Sequence, residues 1–122
     1  SFPECFWVLE EDGVIKSFIN GMATDEEDLI DIMYDDASMH EKDGKWQMIF
    51  SVVTEKSYRG QGLAKHVMNK VIEDCKARGR KGIVLTCKDR LRLFYEGFGY
   101  KDEGISQSNH GDTIWYKMRL TF

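Results

Sequence analysis

Arg59-Gly60-Gln61-Gly62-Leu63-Ala64 is the stretch whose residue types and spacing point most directly to chemistry. Two glycines one residue apart let the backbone approach a ligand closely, and an amphipathic run begins immediately after them. A helix starting there would present unpaired N–H groups at the positive end of its dipole. That arrangement suits an anion such as a diphosphate, and Arg59 adds a permanent charge. The nucleotide loops of similar appearance do not fit. A Walker A loop needs GxxxxGK[ST]. A Rossmann turn would need glycine where Lys65 stands and an acid where Cys87 and Lys88 stand. Taken alone, a GxG before a helix is also what a plain tight turn looks like.

The surrounding elements must hold that turn. Trp46–Thr54 reads as a central strand, its apolar residues not strictly alternating, as in a strand covered on both faces. After the glycine turn, Leu63, Ala64, Val67, Met68, Val71, Ile72 and Cys75 recur at three- and four-residue steps, which predicts a long helix closed by Arg78-Gly79. Gly82–Cys87 reads as a buried strand. Asp89 is expected to cap a short helix through Leu91, Leu93, Phe94 and Tyr95. Cys5–Leu9 and Val14–Ala23 form an expected hairpin around Glu11-Asp12-Gly13, and strands near Tyr100–Ile105 and Thr113–Leu120 end the chain. The fold class is α/β (α+β), a mixed sheet with helices packed on it, and residues 1–122 read as one domain.

Composition narrows the function. Of 122 residues, 42% are hydrophobic and 31% charged, which excludes a disordered tail or a rod, and a net charge of −4 argues against a nucleic-acid partner. No apolar run is long enough to span a bilayer, and no export leader opens the chain. Three cysteines with no CxxC make a disulfide framework unexpected and a cytoplasmic setting the expectation. Residues 25–43 carry nine acids (Asp25, Glu26, Glu27, Asp28, Asp31, Asp35, Asp36, Glu41, Asp43) against one base, Lys42. This segment reads as a solvated connection with a short helix, or as a lure for cationic amines.

Arg59-x-x-Gly62-x-Ala64 resembles the [Arg/Gln]-x-x-Gly-x-[Gly/Ala] signature of the GCN5-related N-acetyltransferase (GNAT) superfamily, and Leu93-Phe94-Tyr95-Glu96-Gly97-Phe98-Gly99-Tyr100 resembles its downstream aromatic–glycine segment. Val84–Asp89 and Asp36–His40 are similar to the arylalkylamine N-acetyltransferase branch. The resemblance covers most of residues 5–120 and implies a mostly antiparallel GNAT sheet, here without the usual N-terminal strand and helices. Either the sequence is a trimmed piece or its acceptor side is reduced. That branch's two-histidine relay falls on Gln47 and Ile49, so its general base is missing.

The resemblance implies transfer of an acetyl group from acetyl-coenzyme A, without metal, to a small primary amine by direct attack. The diphosphate would lie on the amides of Gly60, Gln61, Gly62, Leu63 and Ala64 near Arg59. The pantetheine arm would run along Ser51, Val52 and Val53, one of whose N–H groups would stabilise the oxyanion. Tyr95 would be the general acid for the leaving thiolate. On spacing alone, Tyr95 is a helix aromatic packed on the sheet. Candidate bases are Glu55, an acid of the 25–43 segment, or water, with His40, His66 and His110 named by residue type alone. Cys87 reads as inert filler rather than a nucleophile, and Trp7, Trp46 and Trp115 as core or sheet-face aromatics. Lys76, Arg78, Arg80 and Lys81 either solvate the helix or meet the 3′-phosphate of coenzyme A. The alternatives are a non-catalytic acyl-coenzyme A binding module and a protein or peptide acetyltransferase. An open sheet edge makes a homodimer conceivable.

Overall fold

The computed structural model describes residues 5–26, 40, 43–106 and 114–122. Six strands, β1 (Phe6–Glu11), β2 (Val14–Thr24), β3 (Trp46–Thr54), β4 (Gly82–Cys87), β5 (Lys101–Ile105) and β6 (Tyr116–Thr121), form one sheet in the order β1-β2-β3-β4-β6-β5. All neighbours are antiparallel except β3 and β4. The mixed, mostly antiparallel sheet with helices is the expected fold class. The helix expected between residues 25 and 43 lies outside the described residues.

Local chemistry accounts for most of the elements. Asp12 and Gly13 both take positive φ, +53° and +78°, as a tight hairpin turn between right-twisting strands requires. Helix α1 (Leu63–Ala77) buries Val67, Met68, Val71 and Cys75 against the sheet, and it ends where Gly79 adopts φ +76°. The Trp7 indole N–H donates to Asp74 (2.8 Å), tying edge strand β1 to α1. Helix α2 (Arg92–Glu96) begins without the expected Asp89 cap. Asp89 instead accepts from Arg92 (2.8 Å), whose Nε also donates to Asp102 on β5 (2.6 Å). The guanidinium that could be neutralised twice outcompetes a single backbone amide.

Parity along β3 divides the interior. Ile49 joins the main cluster under α1 and α2, whereas Trp46 and Met48 join Met22 and Val84 on the opposite face. The expected two-sided burial of this strand holds over Trp46–Ile49 only, because Phe50–Thr54 are partly open.

The reason lies at a bulge. Pairing of β2 with β3 moves from Asn20–Ser51 to Gly21–Ile49, leaving Phe50 as the extra residue. Against β4, pairing is confined to Trp46, Gln47 and Met48 opposite Gly82, Ile83 and Val84. Beyond that point the two parallel strands part. Gly21 is what allows the close approach, since a Cβ there would stand 1.7 Å from the Met48 carbonyl oxygen. Gly21→Ala is expected to force β2 off β3 and destabilise the fold by about 3 kcal/mol or more. The urea midpoint of the variant measures this.

Candidate functional site

The parting of β3 from β4 opens a cleft. Ile49 to Val53 form one wall, Leu85 to Lys88 the other, and Arg90, Leu91, Tyr95 and Trp115 complete it. The cleft continues past Val52, Val53, Arg90 and Tyr95 to Thr54, Arg59, Ala64 and Phe94. From there it reaches a hollow bounded by Tyr58, Gly60, Gly62, Leu63 and Lys65. One groove therefore runs along β3, and Ile49 to Thr54 covers about 16 Å of it at ~3.3 Å per residue.

At its outer end lies the start of α1. Gly60 and Gly62 have φ +83° and +75°, a region that side chains rarely occupy. The His66 N–H donates to the Gly62 carbonyl (3.1 Å), leaving the amides of Leu63, Ala64 and Lys65 without helical acceptors. Among the described residues no side chain caps them, and the first turn has no acid. Arg59, its Nε donating to the Thr54 carbonyl (3.3 Å), is held between strand end and helix start. An anion would complete this arrangement. Of the residues expected here, Arg59, Gly60, Gly62, Leu63 and Ala64 line the hollow, while Gln61 is exposed and lines none of the three parts of the groove.

At the inner end Ser51, Val52 and Val53 are part of the β3 wall, on the edge that β4 has left. Tyr95 is 4% exposed, packed edge-on against Phe94 and Tyr100, and yet lines the cleft. Among the described residues its hydroxyl has no hydrogen-bond partner. Burial, and secondarily the nearby Cys87, hold its proton well above the usual tyrosine range. Tyr95 is thus the packed aromatic that its spacing suggests, and it also lines the cleft.

Residues 1–100 match the Acetyltransferase (GNAT) family. The chain belongs to that family. Glucosamine 6-phosphate N-acetyltransferase of Arabidopsis thaliana is 32% identical over 69 residues, covering 57% of this chain and 46% of that protein. Probable glucosamine 6-phosphate N-acetyltransferase 2 of Oryza sativa subsp. japonica is 29% identical over 65 residues, covering 53% of this chain and 39% of that protein. The match thus spans less than half of either relative, and neither is named for an arylalkylamine. The crystal structure of Ard1 from Thermoplasma volcanium has a TM-score of 0.74 at 16% identity, covering 98% of this chain and 72% of that one. An acetyltransferase of the GNAT family from Streptococcus pneumoniae gives 0.66 at 21% identity, covering 94% and 65%.

Several positions in this GNAT chain do other work than their residue type suggests. Gln47 is fully buried and structural. Its amide nitrogen donates to the carbonyls of Met22 (3.1 Å) and Met48 (3.0 Å), and its oxygen accepts from the Cys5 thiol (3.4 Å). Ile49 supplies apolar wall. Glu55 caps the 3₁₀ turn Lys56–Tyr58, accepting from the Ser57 N–H (2.7 Å), and is not in the groove. His40 Nδ1 accepts from the Ala23 N–H (3.1 Å), His66 is exposed on α1, and His110 lies outside the described residues. No carboxylate or histidine among the described residues lines the groove. Of the acidic segment, Asp25 accepts from the Lys45 N–H (3.1 Å) beside the start of β3, the end away from the groove.

Other expectations are corrected or refined. Lys76, Arg78, Arg80 and Lys81 sit at the far end of α1, about 20 Å from its mouth at ~1.5 Å per residue, too distant for the 3′-phosphate role. Arg80 is buried there and donates to the Gly44 carbonyl (2.7 Å). Trp7 and Trp46 are core aromatics, but Trp115 lines the cleft. Cys5, Cys75 and Cys87 are buried thiols that form no disulfide. Burial pushes the Cys87 thiol up to about 11, which keeps it a thiol rather than a nucleophilic thiolate at neutral pH. Lys88 and Arg90 are given no role by the sequence alone, although both follow β4 at the carboxyl ends of the parallel β3–β4 pair, where ligands of open sheets gather. Gln47→Leu, which removes its two buried N–H···O bonds and leaves the Cys5 thiol without its acceptor, should cost about 2 kcal/mol in urea unfolding without altering acetyl-coenzyme A affinity.

Proposed function

We propose that this chain is one GNAT domain that moves an acetyl group from acetyl-coenzyme A to a small primary amine, in the cytoplasm and within a ternary complex. The observation that carries the reading is the continuity of the groove: an uncapped helix mouth, a strand edge released by its neighbour, and a proton-bearing hydroxyl at the inner end. The amides of Leu63 to Lys65 with Arg59 hold the diphosphate. The free edge of Ser51–Val53 takes the pantetheine arm as an added strand and turns one N–H onto the thioester oxygen. The amine nitrogen bonds to the acetyl carbon as the carbon–sulfur bond breaks. Tyr95 gives its proton to the departing sulfur and recovers one from solvent, while the nitrogen loses its proton to water. Both curated relatives are named for an amino-sugar phosphate, whereas the Val84–Asp89 stretch resembles the arylalkylamine branch, so the acceptor must be read from the cleft itself.

A second reading, an acyl-coenzyme A binding module without turnover, draws on one observation: no described carboxylate or histidine stands in the groove to take the amine proton. Thiol release during incubation with acetyl-coenzyme A and an amine panel separates the two. Release above the amine-free rate supports transfer, and binding without release supports the module.

Two outcomes follow for the active protein. Tyr95→Phe should keep its thermal stability, because the hydroxyl has no hydrogen bond to lose among the described residues, and should lower kcat by roughly 10²–10⁴-fold. Unchanged kcat would remove Tyr95 from the reaction. The pH profile of kcat/KM should rise with the ammonium pKa of whichever acceptor is used, since no histidine or carboxylate among the described residues lines the groove to titrate. Because burial raises the Tyr95 pKa, its proton-donating form persists past the ordinary value of about 10, and no alkaline fall is expected at pH 9. A shoulder near pH 6–7 common to all acceptors would instead reveal a protein base.

A further inference from the structure

The charges along the groove bear on the acceptor, given the acetyl-transfer reading above. Every charged side chain among the described residues lining it is a cation: Lys65 and Arg59 at the α1 mouth, Arg90 midway, and Lys88 in the inner cleft. This contrasts with a chain whose net charge is −4. Lys88 and Arg90 have no hydrogen bond or ion pair among the described residues. Asp89 stands between them in sequence, yet its carboxylate is turned to Arg92 (2.8 Å). Two exposed cations cost little in solvation, but beside a cleft with apolar walls they focus a positive potential into it.

That potential favours an anion in the inner cleft. The diphosphate of the thioester carrier is met at the other end of the groove by Arg59, Lys65 and the α1 amides, and the pantetheine arm carries no charge. We propose that the acceptor is a primary amine that also bears an anionic group, a carboxylate or a phosphate, which pairs with Lys88 and Arg90 while Phe50 and Trp115 bound its carbon skeleton. A simple arylalkylamine or a diamine would leave both cations unmatched, and a diamine would add a like charge. Recognition of this kind gives selectivity chiefly by penalising the wrong partner.

The test compares three acceptors of equal length, 5-aminopentanoate, pentylamine and cadaverine, in the unaltered protein and in the double variant Lys88→Gln/Arg90→Gln. The expected kcat/KM order is carboxylate, neutral, diamine, with the first two separated by about tenfold or more, as for a charge-assisted pair. In the double variant that ratio should fall to near one. Equal rates for the three acceptors, a preference for cadaverine, or a ratio that survives the double substitution would overturn the proposal. Weakened acetyl-coenzyme A affinity with the ratio intact would assign the two cations to the carrier and overturn it as well. If no acceptor is turned over, calorimetric binding of the two acetylated products to the coenzyme A-loaded protein decides the matter separately. Tighter binding of N-acetyl-5-aminopentanoate than of N-acetylpentylamine, lost in the double variant, upholds the anion site although the transfer reading fails. Equal or undetectable binding of both overturns it. A glucosamine and glucosamine 6-phosphate pair, run alongside, tells carboxylate from phosphate as the preferred anion.

Discussion

The structure depends on two parallel strands letting go of each other. β3 and β4 pair through Met48 and Val84 and then separate, and the extra residue at Phe50 is what turns β3 away. A sheet edge released in its interior presents backbone donors and acceptors that must find partners. The same event leaves Phe50–Thr54 partly open, gives Trp115, from the far end of the chain, access to the cleft, and lets a buried tyrosine on α2 look into it. Gly21 is the sequence feature that makes the bulge sterically affordable, since any side chain would meet the Met48 carbonyl.

A second constraint is the unfilled start of α1. Three amides with no helical acceptor and no capping side chain sit behind two glycines held in left-handed conformations. Water can satisfy them, but an anion does so with the helix dipole's help. The cations then divide the groove into two electrostatic stations, one at this mouth and one where β4 ends. In a chain of net charge −4, the charged groups lining the groove among the described residues are all cations, which favours an anion there.

Much of this was legible in the sequence because much of it is local. Trp46–Thr54, Leu63–Ala77 and Gly82–Cys87 declare themselves by apolar run or by three- and four-residue spacing, and Gly60 and Gly62 mark the turn between strand and helix. What escaped is what depends on contacts between distant residues. Asp89 looks like a helix cap until Arg92 and Asp102 are seen to share its neighbourhood. Glu55 looks like a free base until the next turn folds back onto it. Gln47 falls where the arylalkylamine resemblance would put a relay histidine, and only its partners on Met22, Met48 and Cys5 show it to be a strut. Lys88 and Arg90 gain their meaning from the parting of two strands, which no local pattern encodes.

The central claim is that the α1 mouth and the released β3 edge together hold an acyl-coenzyme A. Amide ¹H–¹⁵N spectra recorded during titration with acetyl-coenzyme A, and separately with acetylpantetheine lacking the diphosphate, test it directly. The account predicts that acetyl-coenzyme A moves the amides of Leu63, Ala64 and Lys65 together with those of Ser51 to Val53, while acetylpantetheine moves the β3 set alone. Binding that leaves Leu63–Lys65 undisturbed, or that perturbs the opposite end of α1 around Arg78–Lys81 instead, would contradict it.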